Sequence, residues 1–314
     1  MNPKSIAGLE LSLLALVVAL FFWWIRPNAP TVPTNPLVAT GTTTVQELLF
    51  PYTPVEAGSA FVYDARDGKV LYAKDPDSER PLASLTKLMT ALTATEIVPE
   101  YVLVRIAVDD IRQEGDSGLY VGEEWNIRDL VDFSLVTSSN DGIQAVARAA
   151  GLQISSTSTM PVELFVRNMN AAAKKIGLTD MRFANASGLD IDKTTSGAYG
   201  SARDVAYLVD HIMKTDRHLI EATALQQTTI SSHNYPHTAV NTDLAIPNIP
   251  NLIGSKTGYT DLSGGNLVVA FNAGLNHPVI ISVLGSSYDG RFKDLEVLVR
   301  STIQYLNARS AAVK

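Results

Sequence analysis

The sequence predicts an α+β fold: one antiparallel sheet flanked by helices, with a helical subdomain between its first and last strands. Two groups of strand-like runs carry this expectation. Ser59–Asp64 and Lys69–Lys74 are rich in β-branched and aromatic residues and meet across Arg66-Asp67-Gly68, the pattern of a hairpin around a glycine turn. Later, 252–259, 266–272 and 278–284 repeat that composition with short glycine or asparagine connections. Strands joined by short turns run antiparallel, so the hairpin and the three late strands are expected to complete one sheet, with the helical middle packed against it.

The N-terminal part reads differently. Residues 6–25 are apolar apart from Gly8, Glu10 and Ser12, and the run ends close to Trp23-Trp24. Twenty helical residues rise about 30 Å, enough to cross a bilayer core, and tryptophans suit its interface. Residues 1–26 are therefore read as a single-pass membrane anchor with the rest of the chain on the extracytoplasmic side. The competing reading is a cleaved secretory signal, which would leave a secreted protein. Ala29 is followed by Pro30 and no small-x-small site follows closely, which favours the anchor. Lys4 and Arg26 flank the run too evenly to set its orientation. In 27–56, prolines at 27, 30, 33 and 36 match the three-residue repeat of polyproline II, so this stretch is read as an extended spacer. The globular, catalytic candidate is 57–314.

Helices fill the middle of that globule. One opens at Ser84. A second follows Asn126, where Ile127, Leu130, Val131, Ser134 and Leu135 form one stripe, and is expected to end close to Thr137. Others are expected over 161–176 and from Ser201, where Ser201 and Asp204 form a capping-box pattern, and 291–307 closes the fold.

Composition removes several function classes. With 314 residues, 46% of them hydrophobic and 18% charged, the chain can bury a real core. A net charge of -7 and the lack of a basic stripe with interleaved aromatics argue against nucleic-acid binding. With no cysteine, disulfides, thiolate metal sites and cysteine nucleophiles are excluded.

The chemistry starts from one misplaced charge. Between Arg80 and Glu96 the only ionisable side chain is Lys87, three residues after Ser84 in a stretch that otherwise reads as a buried helix. An unpaired charge in a core costs several kcal/mol unless it pairs, deprotonates or does chemistry. The spacing of three puts Ser84 and Lys87 on one helical face. A hydroxyl beside an amine of lowered pKa is a nucleophile with its own base, suited to acyl transfer.

Two more motifs follow in order, so that Ser84-Leu85-Thr86-Lys87 opens a helix, Ser138-Ser139-Asn140 follows one, and Lys256-Thr257-Gly258 lies on a strand. Around them stand Pro81-Leu82-Ala83, Leu88-Met89-Thr90, Phe183-Ala184-Asn185-Ala186-Ser187-Gly188-Leu189-Asp190, Asn241-Thr242-Asp243-Leu244 and Tyr259-Thr260-Asp261. On these residues the chain, from about Ala57 to the C-terminus, resembles the low-molecular-weight D-alanyl-D-alanine carboxypeptidases. These are serine peptidases of the penicillin-binding family with the β-lactamase/DD-peptidase-like fold. The resemblance implies that Ser84 attacks the carbonyl between two terminal D-alanines and that Lys87 is its base, its pKa lowered by burial and by Lys256. It places the oxyanion hole at the backbone N–H groups of Ser84 and Tyr259. Ser138 would relay a proton to the departing amine, Asn140 would orient Lys87 and the substrate amide, and Lys256 would tune Ser138. Thr257 and Arg291 would hold the terminal carboxylate, with Gly258 letting substrate approach the strand. Ser139, where the family often has glycine, is expected to serve only as backbone. Asp141 and Asp261 are expected to cap or brace the site. His233 and His237, in a proline-containing loop without an HExxH pattern, are not expected to bind metal.

The expected protein is thus a membrane-anchored, cofactor-free D,D-carboxypeptidase acting on peptidoglycan stem peptides, with β-lactams as covalent inhibitors. The alternatives are a D,D-endopeptidase using the same residues on crosslinks, a class A β-lactamase, and an inactive wall-binding scaffold. Against the β-lactamase, no Glu-x-x-Leu-Asn segment lies between the second and third motifs. The intact motif set argues against the scaffold. The C-terminal β domain and amphipathic anchor of some relatives are expected to be missing, with the N-terminal span replacing their tether.

Overall fold

A computed structural model of the chain describes residues 49–115 and 117–312. The expected anchor at 6–25 and the proline repeat lie outside the described residues. Among the described residues no helix is long and apolar enough to cross a membrane. A membrane anchor and a membrane-bound location, expected from the sequence, are thus not supported, and that expectation is withdrawn. Even the 23-residue C-terminal helix is interrupted by Arg291, Lys293, Asp294, Glu296, Arg300 and Arg309, charges that a bilayer core would not accept.

The elements in chain order are β1 (Ser59–Asp64), β2 (Lys69–Lys74), β3 (Arg80–Pro81), α1 (Thr86–Ile97), β4 (Leu103–Arg105), β5 (Glu124–Asn126), α2 (Ile127–Val136) and α3 (Asn140–Ile154). Next come α4 (Pro161–Lys175), β6 (Arg182–Phe183), β7 (Ala198–Gly200), α5 (Ala202–Thr215), α6 (His218–Glu221), β8 (Gln227–Ser231) and β9 (Pro236–Val240). The chain closes with β10 (Leu252–Thr260), β11 (Gly264–Asn272), β12 (Pro278–Ser286) and α7 (Gly290–Ala312).

The main sheet has the order β10-β11-β12-β1-β2, antiparallel at every junction, as the strand runs predict. Side chains alternate between its faces. Leu267, Val269 and Phe271 join Leu295, Leu298 and Val299 of α7 in one core, while Val268 and Ala270 belong to a second core with α1, α2, α3 and α5. Because both faces are covered, β11 and β12 read as continuous apolar runs rather than alternating ones. The turn between β1 and β2 is held by Asp64, whose Oδ1 accepts from the N–H of Arg66 and Asp67.

The chain packs on this unit before β1. Phe50 lies 5.6 Å from the rings of both Tyr72 and Tyr305, and Asp294 accepts the N–H of Glu56 and Ala57 at 2.7 and 2.8 Å. Residues 50–56, read as spacer from their sequence, therefore brace the sheet against α7.

The helical part surrounds α1, whose residues 86–94 are all buried. α3 was not foreseen. Its start is set by Ser139, whose Oγ accepts the N–H of Gly142 at 2.9 Å and donates to Ser117 Oγ at 2.6 Å, so this serine is an N-cap as well as backbone. The capping-box pattern before α5 is half used. Ser201 Oγ accepts from Asp204 N, while the Asp204 carboxylate turns to the N–H of Asp180. β8 and β9 form a hairpin where a loop was read, with Pro236 at the strand start that proline tolerates.

Candidate active site

Three parts of the fold meet at one cleft: the turn entering α1, the connection between α2 and α3, and the edge strand β10. Ser84 sits in a single 3-10 turn, Ala83–Leu85, that runs into α1 two residues later than the sequence suggests. Ala83 has φ +47°, an uncommon backbone region for a residue other than glycine. The turn is wedged between two backbones that admit no side chain. A Cβ at Gly258 would lie 2.9 Å from Leu82 O and 3.1 Å from Ser84 N, and one at Gly188 would meet the Ala83 carbonyl. Gly258 thus lets β10 lie directly against the serine.

Lys87 is fully buried, and its Nζ has three neighbours: Ser84 Oγ at 2.7 Å, Asn140 Oδ1 at 2.7 Å and the Ser187 carbonyl at 3.0 Å. The Asn140 amide is turned this way because its Nδ2 donates to Glu114 O at 2.6 Å. Burial, and then the charge of Lys256, hold the Lys87 amine well below the usual lysine range. An uncharged amine has two N–H donors and one lone pair. Asn140 Oδ1 and Ser187 O can only accept, so they take the two donors and leave the lone pair facing the Ser84 hydroxyl.

The second lysine serves the other serine. Lys256 Nζ lies 2.8 Å from Ser138 Oγ and 2.9 Å from Thr257 O. Burial and then Arg291 pull Lys256 down to about 7, with Asp243 partly opposing. Ser138 is at φ +59°, so the backbone itself aims this side chain.

Beyond β10 a cavity of about 310 Å³ is lined by Ser138, Thr242, Leu244, Thr257, Gly258, Tyr259, Tyr288 and Arg291. Arg291 is 3% exposed. Its Nη1 donates to Gly258 O at 3.0 Å, its Nε is buried without a hydrogen-bond partner, and its guanidinium lies over the Tyr288 ring at 4.4 Å. A buried guanidinium with spare donors facing a cavity suits an anion. On the other side of Tyr259 a groove of about 620 Å³ continues past Glu114, Leu189 and Asp190, and a third recess of about 320 Å³ runs from Ser138 and Asn140 to Thr238 and Val240.

All nine residues singled out from the sequence, Ser84, Lys87, Ser138, Asn140, Lys256, Thr257, Gly258, Tyr259 and Arg291, lie at this cleft. Sequence reasoning missed the Ser187 carbonyl and the residue that presents it. Asn185 Oδ1 accepts from Gly188 N at 2.7 Å and its Nδ2 donates to Leu189 O at 2.8 Å, which fixes the turn carrying Ser187. A main-chain acceptor leaves no mark on residue type; the only signal was the 183–190 run itself. His237 is half-buried beside the buried Glu123, its Nε2 3.1 Å from Glu123 Oε2. Among the described residues no group of three or more histidine, aspartate or glutamate side chains is arranged to hold a metal ion.

The antiparallel sheet, the helical subdomain and the lysine-serine cleft define the fold of the DD-peptidases and penicillin-binding proteins. The chain belongs to the D-alanyl-D-alanine carboxypeptidase family, whose sequence profile matches residues 42–288. It is 30% identical over 239 residues to the D-alanyl-D-alanine carboxypeptidase DacF of Bacillus subtilis, covering 74% of this chain and 58% of that protein. It is also 30% identical over 222 residues to a D-alanyl-D-alanine endopeptidase of Pseudomonas aeruginosa, covering 68% of this chain and 66% of that one. The chain thus spans less than two thirds of the length of either relative. Among solved structures, penicillin-binding protein D2 of Listeria monocytogenes in its cefotaxime-bound form superposes with a TM-score of 0.66 at 27% identity, covering 80% of this chain and 98% of that one.

Proposed function

We propose that this protein is a serine D-alanyl-D-alanine carboxypeptidase that removes the terminal D-alanine from peptidoglycan stem peptides through an acyl-enzyme, with 57–314 as its catalytic domain. The observation that carries this reading is the buried Lys87 Nζ, 2.7 Å from both Ser84 Oγ and Asn140 Oδ1 and 3.0 Å from the Ser187 carbonyl, an arrangement in which an uncharged amine turns its lone pair to Ser84. Lys87 takes the Ser84 proton as Oγ attacks the carbonyl between the last two residues. The N–H groups of Ser84 and Tyr259 receive the developing oxyanion. Ser138, beside Lys256, passes a proton to the departing amine, which leaves as D-alanine. Water then attacks the acyl-enzyme and releases the shortened peptide. Thr257 and Arg291 hold the terminal carboxylate through charge-assisted hydrogen bonds.

A β-lactam carries a strained amide beside a carboxylate and enters the same sequence, so the protein should be covalently labelled by penicillin at Ser84. D-alanine release from a stem-peptide mimic, inhibited by penicillin and abolished in Ser84→Ala, is the expected result. Folded protein that neither releases D-alanine nor takes the label would reject the proposal. The likeness to the P. aeruginosa endopeptidase supports a second reading, cleavage of crosslinks with the same residues. Product analysis on purified muropeptides separates the two: monomers lose a terminal residue in the first case, and dimers fall to monomers in the second.

A further inference from the structure

The carboxylate cavity contains one polar contact that the roles above do not use. Thr242, on the turn after β9, has its Oγ1 2.5 Å from Thr257 Oγ1. Both threonines line the cavity beneath Arg291.

A hydroxyl has one proton to give. Between two hydroxyls in contact, one donates and the other accepts, and the choice decides what Thr257 can offer a ligand. If Thr257 donates to Thr242, its proton is spent and it shows lone pairs to an incoming carboxylate, which is repulsive. If Thr242 donates, Thr257 accepts with one lone pair and its own proton is free to point at the anion. No other hydrogen bond occupies either hydroxyl among the described residues, so the pair is free to take the second arrangement when an anion arrives.

The turn is built to hold Thr242 in place. Asn241 Nδ2 donates to Thr223 O and Leu225 O at 2.8 and 3.0 Å, and its Oδ1 accepts Asp243 N at 2.9 Å. Asp243 Oδ1 in turn accepts Ala245 N at 2.9 Å. The residues on both sides of Thr242 are thus buried and tied to the scaffold, while its own side chain faces the cavity.

We propose that Thr242 is a positioning residue for recognition of the terminal carboxylate: it donates to Thr257 Oγ1 and so commits the Thr257 proton to the substrate anion. This rests on the carboxypeptidase reading. The test compares wild type, Thr242→Val, which keeps the shape and removes the hydroxyl, and Thr242→Ser, which keeps the hydroxyl. Steady-state kcat and KM are measured on a peptide ending in D-Ala-D-Ala. The same peptide as free acid and as C-terminal amide is then used to slow labelling by penicillin. Loss of one hydrogen bond corresponds to about a fivefold effect. In Thr242→Val, KM and the inhibition constant of the free acid should rise about fivefold, with kcat and the amide's inhibition constant within about twofold, and Thr242→Ser should restore wild-type values. Unchanged KM, an equal loss on acid and amide, or failure of serine to restore would each overturn the inference. If wild type is neither labelled nor active, the carboxypeptidase reading itself has failed, and this inference with it.

Discussion

Buried charge is handled in two opposite ways in this molecule. In the scaffold, several buried carboxylates have a basic side chain beside them. Asp110, 1% exposed, takes Arg148 Nε at 2.9 Å and Nη2 at 2.7 Å; His277 Nε2 meets the buried Asp64 at 2.9 Å, and His237 meets Glu123 at 3.1 Å. In the cleft, Lys87, Lys256 and Arg291 are as deeply buried, yet among the described residues none has a carboxylate at salt-bridge distance, and all three contact hydroxyls or carbonyls instead. A matched pair has no attraction left for a ligand. In the proposed reaction these unmatched basic groups stay available, the Arg291 guanidinium for a substrate anion and the uncharged Lys87 amine for a proton, at some cost to the stability of the fold.

The sharpest way to break that contrast is to remove the base. Lys87→Met should slow acylation of Ser84 by labelled penicillin about a thousandfold, the scale of general-base catalysis, with the fold retained. An unslowed reaction would leave the lysine as mere packing. In the scaffold the same kind of change should do the reverse. Arg148→Met strands Asp110 and should lower unfolding free energy in urea by about 3 kcal/mol while the folded fraction is labelled at the wild-type rate. Parallel loss of labelling would show that the two regions are not separable.

A smaller effect is expected where the two regions touch. A methyl at Gly188 would overlap the Ala83 carbonyl and push the turn carrying Ser84, so Gly188→Ala should slow acylation about tenfold beyond any loss of folded protein. The last effect, about 1 kcal/mol within any one pH unit, concerns Lys256 and pH. Its folded-state pKa of about 7 lies below the ordinary 10.5, so between those values the unfolded chain binds more protons. Wild-type stability therefore rises with pH across that window and is lost as pH falls through it. Lys256→Met should flatten the rise by about 1 kcal/mol per pH unit, read from urea midpoints between pH 7 and 10. An unchanged slope would mean that Lys256 is not the unmatched charge.

Much of this was legible in the sequence, and the reasons differ by region. The five-stranded sheet was readable because β1 and β2 place β-branched and aromatic residues on either side of a glycine turn and because β10, β11 and β12 are strand-like runs with short connections, and α2 because its stripe follows Asn126. α3 was missed. Beside Ile143 and Val146 its buried face is Gly142, Ala145, Ala147, Ala150 and Gly151, mostly small residues, and its start hides within the Ser138-Ser139-Asn140 motif. The hairpin β8–β9 was missed because His233, Pro236 and His237 look like loop chemistry when the contact of His237 with Glu123 is unknown. In the cleft, the candidate side chains could be picked out from the three motifs and the family resemblance, whereas the Ser187 carbonyl and the Thr242–Thr257 contact depend on distances that no residue spacing encodes.

The most direct test of the central claim, an uncharged Lys87 serving Ser84, is the pH dependence of the rate at which labelled penicillin acylates wild-type protein. A Lys87 pKa held well below 10.5 predicts a rate already at its plateau through the alkaline range, falling only on the acid side as the amine gains its proton. A rate that keeps climbing until about pH 10.5, the titration of an ordinary lysine, would contradict it.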